Sequence, residues 1–250
     1  MQRNGRAEKP KTWQRIGIEE LAASKRFGKY KTEEQKPVRE PGLKGHDEKK
    51  VEQLLEIYGK IRFISYFNPD FMPEDVYRLM LVALRKIHCT KYEVAAFCSR
   101  LPKCIKKGDS LVDSLVKPGL FISALINSTR GNDFMINTQE IQFIESPWWR
   151  IASLGYKNTK RIKVVGDVGN DLGEKMLKGE IHVLGNAGDT IGNSMRGGKI
   201  IVNGNAGDEI GNLMKGGEIR VNGEMGEFDD CRISGGRIIH KGILIAGDDK

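Results

Sequence analysis

Long apolar runs are missing from this 250-residue sequence. Nothing in it is long enough to cross a bilayer as a helix, and no apolar segment near Met1 reads as a secretory signal, so a cytoplasmic protein without a membrane span is expected. Cysteine is scarce: there are four, unevenly spaced, with Cys231 far from the others and no Cys-x-x-Cys pair. That spacing fits a reducing compartment better than a disulfide framework. It also favours core or surface thiols over a zinc or iron–sulfur site built from His88, Cys89, Cys98 and Cys104. Histidine is equally sparse. His182 and His240 stand among strand-forming residues with no Ser or Cys nucleophile beside them, so a hydrolase has no constellation to rest on.

What the sequence has in excess is glycine at equal intervals. Of its 30 glycines, 20 lie in 162–250, and they fall into columns with a period of 19 residues. One column holds Gly166, Gly185, Gly204 and Gly223; the next holds Gly169, Gly188, Gly207 and Gly226; a third holds Gly173, Gly192 and Gly211. The apolar residues keep the same step: Ile162, Ile181, Ile200, Ile219 and Ile238, then Val164, Val183, Val202 and Val221, then Met176, Met195 and Met214. Constant spacing of this kind marks a solenoid, whose single repeats cannot bury their apolar faces alone.

The residue types exclude a helical solenoid, because each glycine inside a helix costs about 1 kcal/mol relative to alanine. β-Branched residues at i and i+2 instead point to one side of a strand, and the glycines suit sharp corners. A closed coil of 19 residues has room for about three short faces, stacked roughly 4.8 Å apart. The expectation is a parallel β-helix of about five coils, cored by Ile, Val and Met ladders, with Ala187 and Ala206 in narrow corners. Asn186 over Asn205 either forms an amide ladder or fills a tolerated turn position. Gly204-Asn-Ala-Gly207 with Gly211 superficially matches a phosphate-cradling loop, but it recurs every 19 residues without a following helix and reads as a corner. The outward residues His182, Ile201 and Arg220 make no aromatic or acidic stripe for a polysaccharide.

The text Gly-Asn-Ala-Gly-x-x-Ile-Gly-x-x-Met-x-Gly-Gly-x-Ile-x-Val-x-Gly, as it stands at 185–204 and 204–223, resembles the glycine-rich GXGXG repeat. That family includes the glycine-repeat subunit of formylmethanofuran dehydrogenase and the C-terminal domain of the large chain of glutamate synthase. The ending Gly-Gly-Arg-Ile-Ile-His-Lys-Gly-Ile-Leu-Ile at 235–245 looks more like the former. The resemblance covers about a third of the chain. It implies a right-handed β-helix that holds parts of a multi-subunit oxidoreductase together, with no catalytic, cofactor-binding or metal residue of its own. Flavin, molybdopterin or an iron–sulfur centre is then expected on partner subunits.

The preceding residues are different in kind. Residues 162–250 hold 11 basic and 14 acidic side chains, whereas 1–161 hold 30 and 19, so the basic charge lies outside the solenoid. Residues 1–45 read as a basic, disordered tail with Trp13 as a possible anchor on a partner. Residues 46–117 read as a helical module. Val51, Leu54, Leu55, Ile57, Tyr58 and Ile61 recur at helical steps, Pro73-Glu-Asp opens a second helix, and Thr90 with Glu93 forms a capping box for a third over 91–100, ended by Pro102. A short helix is expected over 110–116. An apolar strand over 120–126, a turn at 128–131 and a strand from Phe134 complete either a helical cap or the order of a winged helix. The latter suits nucleic acid, though 109–116 carries two acids and no base-reading residues. Leu154-Gly155 before Ile162 repeats Leu172-Gly173 before Ile181 with one residue fewer, so 118–161 is expected to end in a worn first coil. Trp148 and Trp149 either cover its edge or meet a partner.

The overall expectation is an α+β chain with a helical N-terminal module and a β-helical rod. The rod serves as a non-catalytic scaffold subunit of a redox complex. A nucleic-acid-associated protein and a hydrolase with an unrecognised site are the alternatives.

Overall fold

A computed structural model of the chain describes residues 45–66, 73–104, 118–139, 151–229 and 232–247, without the side chains of 62–66 and 103–104. All but the last residue of the expected tail at 1–45, the short helix at 110–116, and Trp13, Trp148 and Trp149 lie outside these. All the described residues belong to one compact unit, Leu43–Lys250.

Four helices come first: α1 (Glu48–Tyr66), α2 (Pro73–Leu84), α3 (Lys91–Cys104) and α4 (Pro118–Ser128). The first and third start where the sequence supplies a partner for the free amides of a helix N-terminus, and the second where proline and acidic residues suit its first turn. Asp47 Oδ1 accepts the Lys49 N–H at 3.0 Å, and Pro73 opens α2 with Glu74 and Asp75 in the first turn. At α3 the capping box is formed: Glu93 Oε2 accepts the Thr90 N–H at 2.7 Å while Thr90 Oγ1 accepts the Tyr92 N–H at 3.2 Å. The other Glu93 oxygen accepts the Asp47 N–H at 2.9 Å, which ties the start of α1 to the start of α3. Val51, Leu54, Tyr58 and Ile61 of α1 are buried, and Tyr58 packs its ring edge-on to Phe97 and Phe121.

Two expectations fail here. α3 runs on to Cys104 with Pro102 inside it, because a proline in the last turn forfeits only one helical hydrogen bond. The expected strand over 120–126 is helix α4, in which every residue from Gly119 to Ile126 is buried. A short run that is apolar all round fits a buried helix as well as a buried strand, and Pro118 at the first helical position decides it. Without that strand, the winged-helix order is lost.

The rod follows. Strands β1 (Asp133–Asn137), β2 (Arg161–Val165), β3 (Glu180–Val183), β4 (Lys199–Val202), β5 (Lys215–Val221), β6 (Gly235–His240) and β7 (Ile243–Ala246) form one sheet in sequence order. β1 to β6 pair in parallel, and β7 turns back antiparallel on β6. From β2 to β6 the register places like over like: Ile162, Ile181, Ile200, Ile219 and Ile238 in one row, Val164, Val183, Val202 and Val221 in another. The fold is an α+β chain whose second part is a parallel β-solenoid. The worn first coil is present, but it begins at β1. Phe134 and Ile136 occupy the Ile and Val rows, and 28 residues rather than 19 separate Asp133 from Arg161.

Only one side of each coil is a strand. The other sides, expected as further short strands, are irregular chain bonded coil to coil by amides that alternate in direction. Val168, Asp171 and Lys175 donate forward to Asn186, Asp189 and Asn193, while Gly169, Gly173 and Leu177 donate back to Ile151, Leu154 and Asn158. The same alternation recurs one coil later from Ala187, Thr190 and Ser194. Every amide in such a column finds a carbonyl without extended geometry, which satisfies the backbone as fully as a strand does.

The helices close the N-terminal end of the rod. Gly119 lies so close to the first coil that a side chain there would meet the Ile151 methyl at 2.8 Å. Ser123 Oγ accepts the N–H groups of Gly155 at 2.8 Å and Tyr156 at 3.2 Å, taking up amides that have no earlier coil to pair with. α2 adds an ion pair, Lys157 Nζ to Glu74 Oε1 at 2.5 Å.

Candidate functional site

The sequence offered three groups of residues for function: glycine corners, core ladders and tryptophans. Ile181, Ile200, Ile219, Val183, Val202, Val221, Met176, Met195 and Met214 are all fully buried in the solenoid core. A further ladder, Leu172, Ile191 and Ile210, is buried beside them. It repeats at the same 19-residue step and is legible on that ground.

The glycine columns divide by physical cause. Gly173, Gly192 and Gly211 have φ of 68° to 71°, as a sharp corner demands, and a side chain on Gly192 would meet Ile219 Cδ1 at 2.5 Å. Gly166 also has positive φ, whereas Gly169, Gly185, Gly188, Gly204, Gly207, Gly223 and Gly226 do not. In those columns space is the constraint: a side chain on Gly204 would lie 2.7 Å from the Gly185 carbonyl oxygen of the coil before. Another column, Gly179, Gly198, Gly217 and Gly236, has φ of 85° to 99° just before or near the start of β3 to β6; it is not among the columns picked out from the sequence, despite its regular step.

Between the glycines run two polar rows. Asp167 Oδ1 accepts the Asn186 N–H, Asn186 Oδ1 accepts the Asn205 N–H, and Asn205 Oδ1 accepts the Glu224 N–H, at 2.7 to 2.9 Å. Asn170, Asp189 and Asp208 repeat the pattern for the amides of Asp189, Asp208 and Glu227. The Asn186–Asn205 ladder therefore joins side chain to main chain rather than amide to amide. It also removes the phosphate-loop reading: every amide from Gly204 to Asp208 donates to a neighbouring coil or its side chain, leaving none to cradle an anion.

On the strand side, charge alternates along one row: Asp133, Arg161, Glu180, Lys199, Glu218 and Arg237. Arg161 makes a two-pronged contact with Asp133 at 2.6 and 3.0 Å. Glu218, nearly buried, takes Lys199 at 3.1 Å, Arg220 at 2.5 Å and Arg237 at 2.5 Å. Burial pushes its carboxyl up, but these three cations outweigh it and hold the pKa down at about 2. Glu74 at the cap is likewise held at about 2, by hydrogen bonds from Lys157 and from the Tyr156 hydroxyl, against the raising effect of burial. Lys175 donates to the same hydroxyl at 3.1 Å, and Asn127 bridges Tyr77 to the Tyr156 carbonyl.

These clusters contain no nucleophile beside a free base, and within them the buried Asn127 Oδ1 has no hydrogen-bond partner among the described residues. Ser123 Oγ donates to backbone carbonyls, His182 bonds Asn203, and His240 bonds the Gly223 carbonyl. Cys89 and Cys98 are buried free thiols, pushed up by burial to about 11 and about 12, while His88 is exposed. Among the described residues no three His, Cys, Asp or Glu side chains are grouped to hold a metal, and no helix is long and apolar enough to cross a membrane. An open cleft of about 650 Å³ sits near the C-terminal end of the rod, lined by Gly198, Gly217, Ser234, Gly236 and the Glu218–Arg237 pair.

These features define a capped β-solenoid whose polar side chains hold its coils together. No protein-family model, curated protein or solved structure matches the chain.

Proposed function

We propose that this chain is a non-catalytic scaffold subunit, or module, of a cytoplasmic multi-subunit oxidoreductase of the kind to which the GXGXG-repeat proteins belong. The observation that carries the mechanical half of this reading is the use made of the polar groups. The Asp and Asn rows, the Glu218 cluster and the amides of the coil sides all bond the rod to itself. What remains is a stiff body of fixed length, suited to holding partners at a set separation. The resemblance of the repeats at 185–223 to the GXGXG text supports the redox half. In this reading, flavin, molybdopterin or iron–sulfur centres are carried by partner subunits, and Trp13, Trp148 and Trp149 are their contacts.

Gentle purification of the native protein, with absorption spectra and metal analysis of whatever co-elutes in fixed stoichiometry, tests both halves. Stoichiometric companions carrying a flavin, molybdenum or iron–sulfur centre support the proposal. A protein that elutes alone and is retained on DNA with a steep salt dependence contradicts it.

A further inference from the structure

The irregular sides of the coils carry opposite charge on either side of the corner at Gly173, Gly192 and Gly211. Before it, the stretches 166–172, 185–191, 204–210 and 223–229 hold eight Asp or Glu residues and no Lys or Arg. Beyond it, 173–179, 192–198 and 211–217 hold Lys175, Lys178, Arg196 and Lys215 against a single acid, Glu174, which is paired with Lys175 at 3.4 Å. On the strand side Glu218 gathers its cations, but here charge is left unmatched. Lys178, Arg196 and Lys215 lie on three successive coils, are exposed, and have no side-chain hydrogen bond or ion pair among the described residues. Asp208, Glu209 and Glu227 are exposed as well and meet no cation there. Leu177 stands one coil before Arg196 in the same row and is 44% exposed, which adds apolar area to the basic side.

We propose that a second copy of this chain lies beside the first, rod parallel to rod, with the basic side of each against the acidic side of the other. Pitch as well as sign favours this occupant. Charges on stacked coils recur about every 4.8 Å, and a second copy reproduces that spacing coil for coil. A two-fold axis along the rod puts equal coils at equal height. Each coil from β2 to β4 carries both signs: Lys178 follows Asp171, Arg196 follows Asp189, and Lys215 follows Asp208 and Glu209. Cations of one copy therefore face acids of the other, and the symmetry makes every pair twice. Because each copy uses both of its sides in the one contact, association closes at two. A nucleic acid would match the basic side alone and leave the acidic side unused. This inference does not depend on the redox reading.

Sedimentation equilibrium on the full chain tests it. At about 50 mM salt the expected mass is twice 28.0 kDa, and raising the salt to about 0.5 M is expected to raise the dissociation constant by on the order of tenfold or more, since exposed charges are screened. Lys215→Glu is expected to weaken the dimer with the circular dichroism spectrum unchanged, because the Lys215 side chain is exposed. Adding Glu209→Lys is expected to restore the dimer, the swapped charges facing each other as before. A monomer at all concentrations up to about 100 μM, well above typical specific affinities, overturns the proposal. So does a dimer indifferent to salt or to Lys215→Glu, or a charge swap that restores nothing. A chain that stays monomeric and binds a DNA duplex also overturns it, and assigns the basic side to a polyanion instead.

Discussion

At the scale of the residue, one glycine column shows how little freedom the coil leaves. Gly192 combines a φ of 69° with a side-chain position 2.5 Å from Ile219 Cδ1. Gly192→Ala is expected to destabilise the chain by about 2 kcal/mol or more, read as a lower thermal midpoint, since backbone strain and overpacking add. The opposite change is available nearby: Leu213 sits at φ 55° with its side chain largely exposed. Leu213→Asn is expected to stabilise by on the order of 1 kcal/mol, because asparagine tolerates the left-handed region better. Charge is a third lever. Glu218 and Glu74 have pKa values lowered from 4.5 to about 2 in the folded chain, so the unfolded chain binds more protons between those values. Their contribution to stability is complete above about 4.5 and is lost as pH falls towards 2. Glu218→Gln is expected to lower stability at pH 7 and to flatten the acid limb of a stability–pH curve; an unchanged limb contradicts the pairing.

These residues are legible in the sequence to different degrees. The Ile, Val and Met rows follow from the 19-residue step alone, because identical spacing forces identical positions in the coil. Glycine at a corner can be foreseen at Gly192 from its conformational range. At Gly204 the cause is a neighbouring carbonyl, which only the packing of one coil on another reveals. The alternating row from Asp133 to Arg237 is written in the sequence at the same step, but its meaning needs the strand register, since its first interval is 28 residues long.

At the scale of the element, α4 is the piece on which the two parts of the chain depend. Its apolar stretch, Leu-Phe-Ile-Ser-Ala-Leu-Ile, has no polar face to set a period, so the sequence suits a strand as readily as a helix. The clue is Ser123 in its middle, a polar residue in a buried helix with the Gly155 and Tyr156 amides to satisfy. Ser123→Ala leaves those amides buried without their acceptor and is expected to cost about 2 kcal/mol. Hydrogen exchange is expected to quicken first at Gly155 and Tyr156, ahead of the distant coils. Equal quickening throughout the rod contradicts the capping role.

At the scale of the whole molecule, the rod is a register device. Each inner coil repeats its rows, its corners and its alternating amides at one interval, so stability is the sum of coil and neighbour terms, as in other repeat proteins. The measurement that tests this most directly is thermal unfolding followed by circular dichroism on two internal deletions, 185–203 and 185–202. Removing 19 residues joins equivalent positions and restores every row. That chain is expected to fold cooperatively with the same strand signal and a modestly lower midpoint. Removing 18 shifts each later row by one residue, turns the Ile and Val positions outward, and is expected to abolish cooperative unfolding. Equal tolerance of the two deletions, or failure of both, contradicts a solenoid held in a 19-residue register.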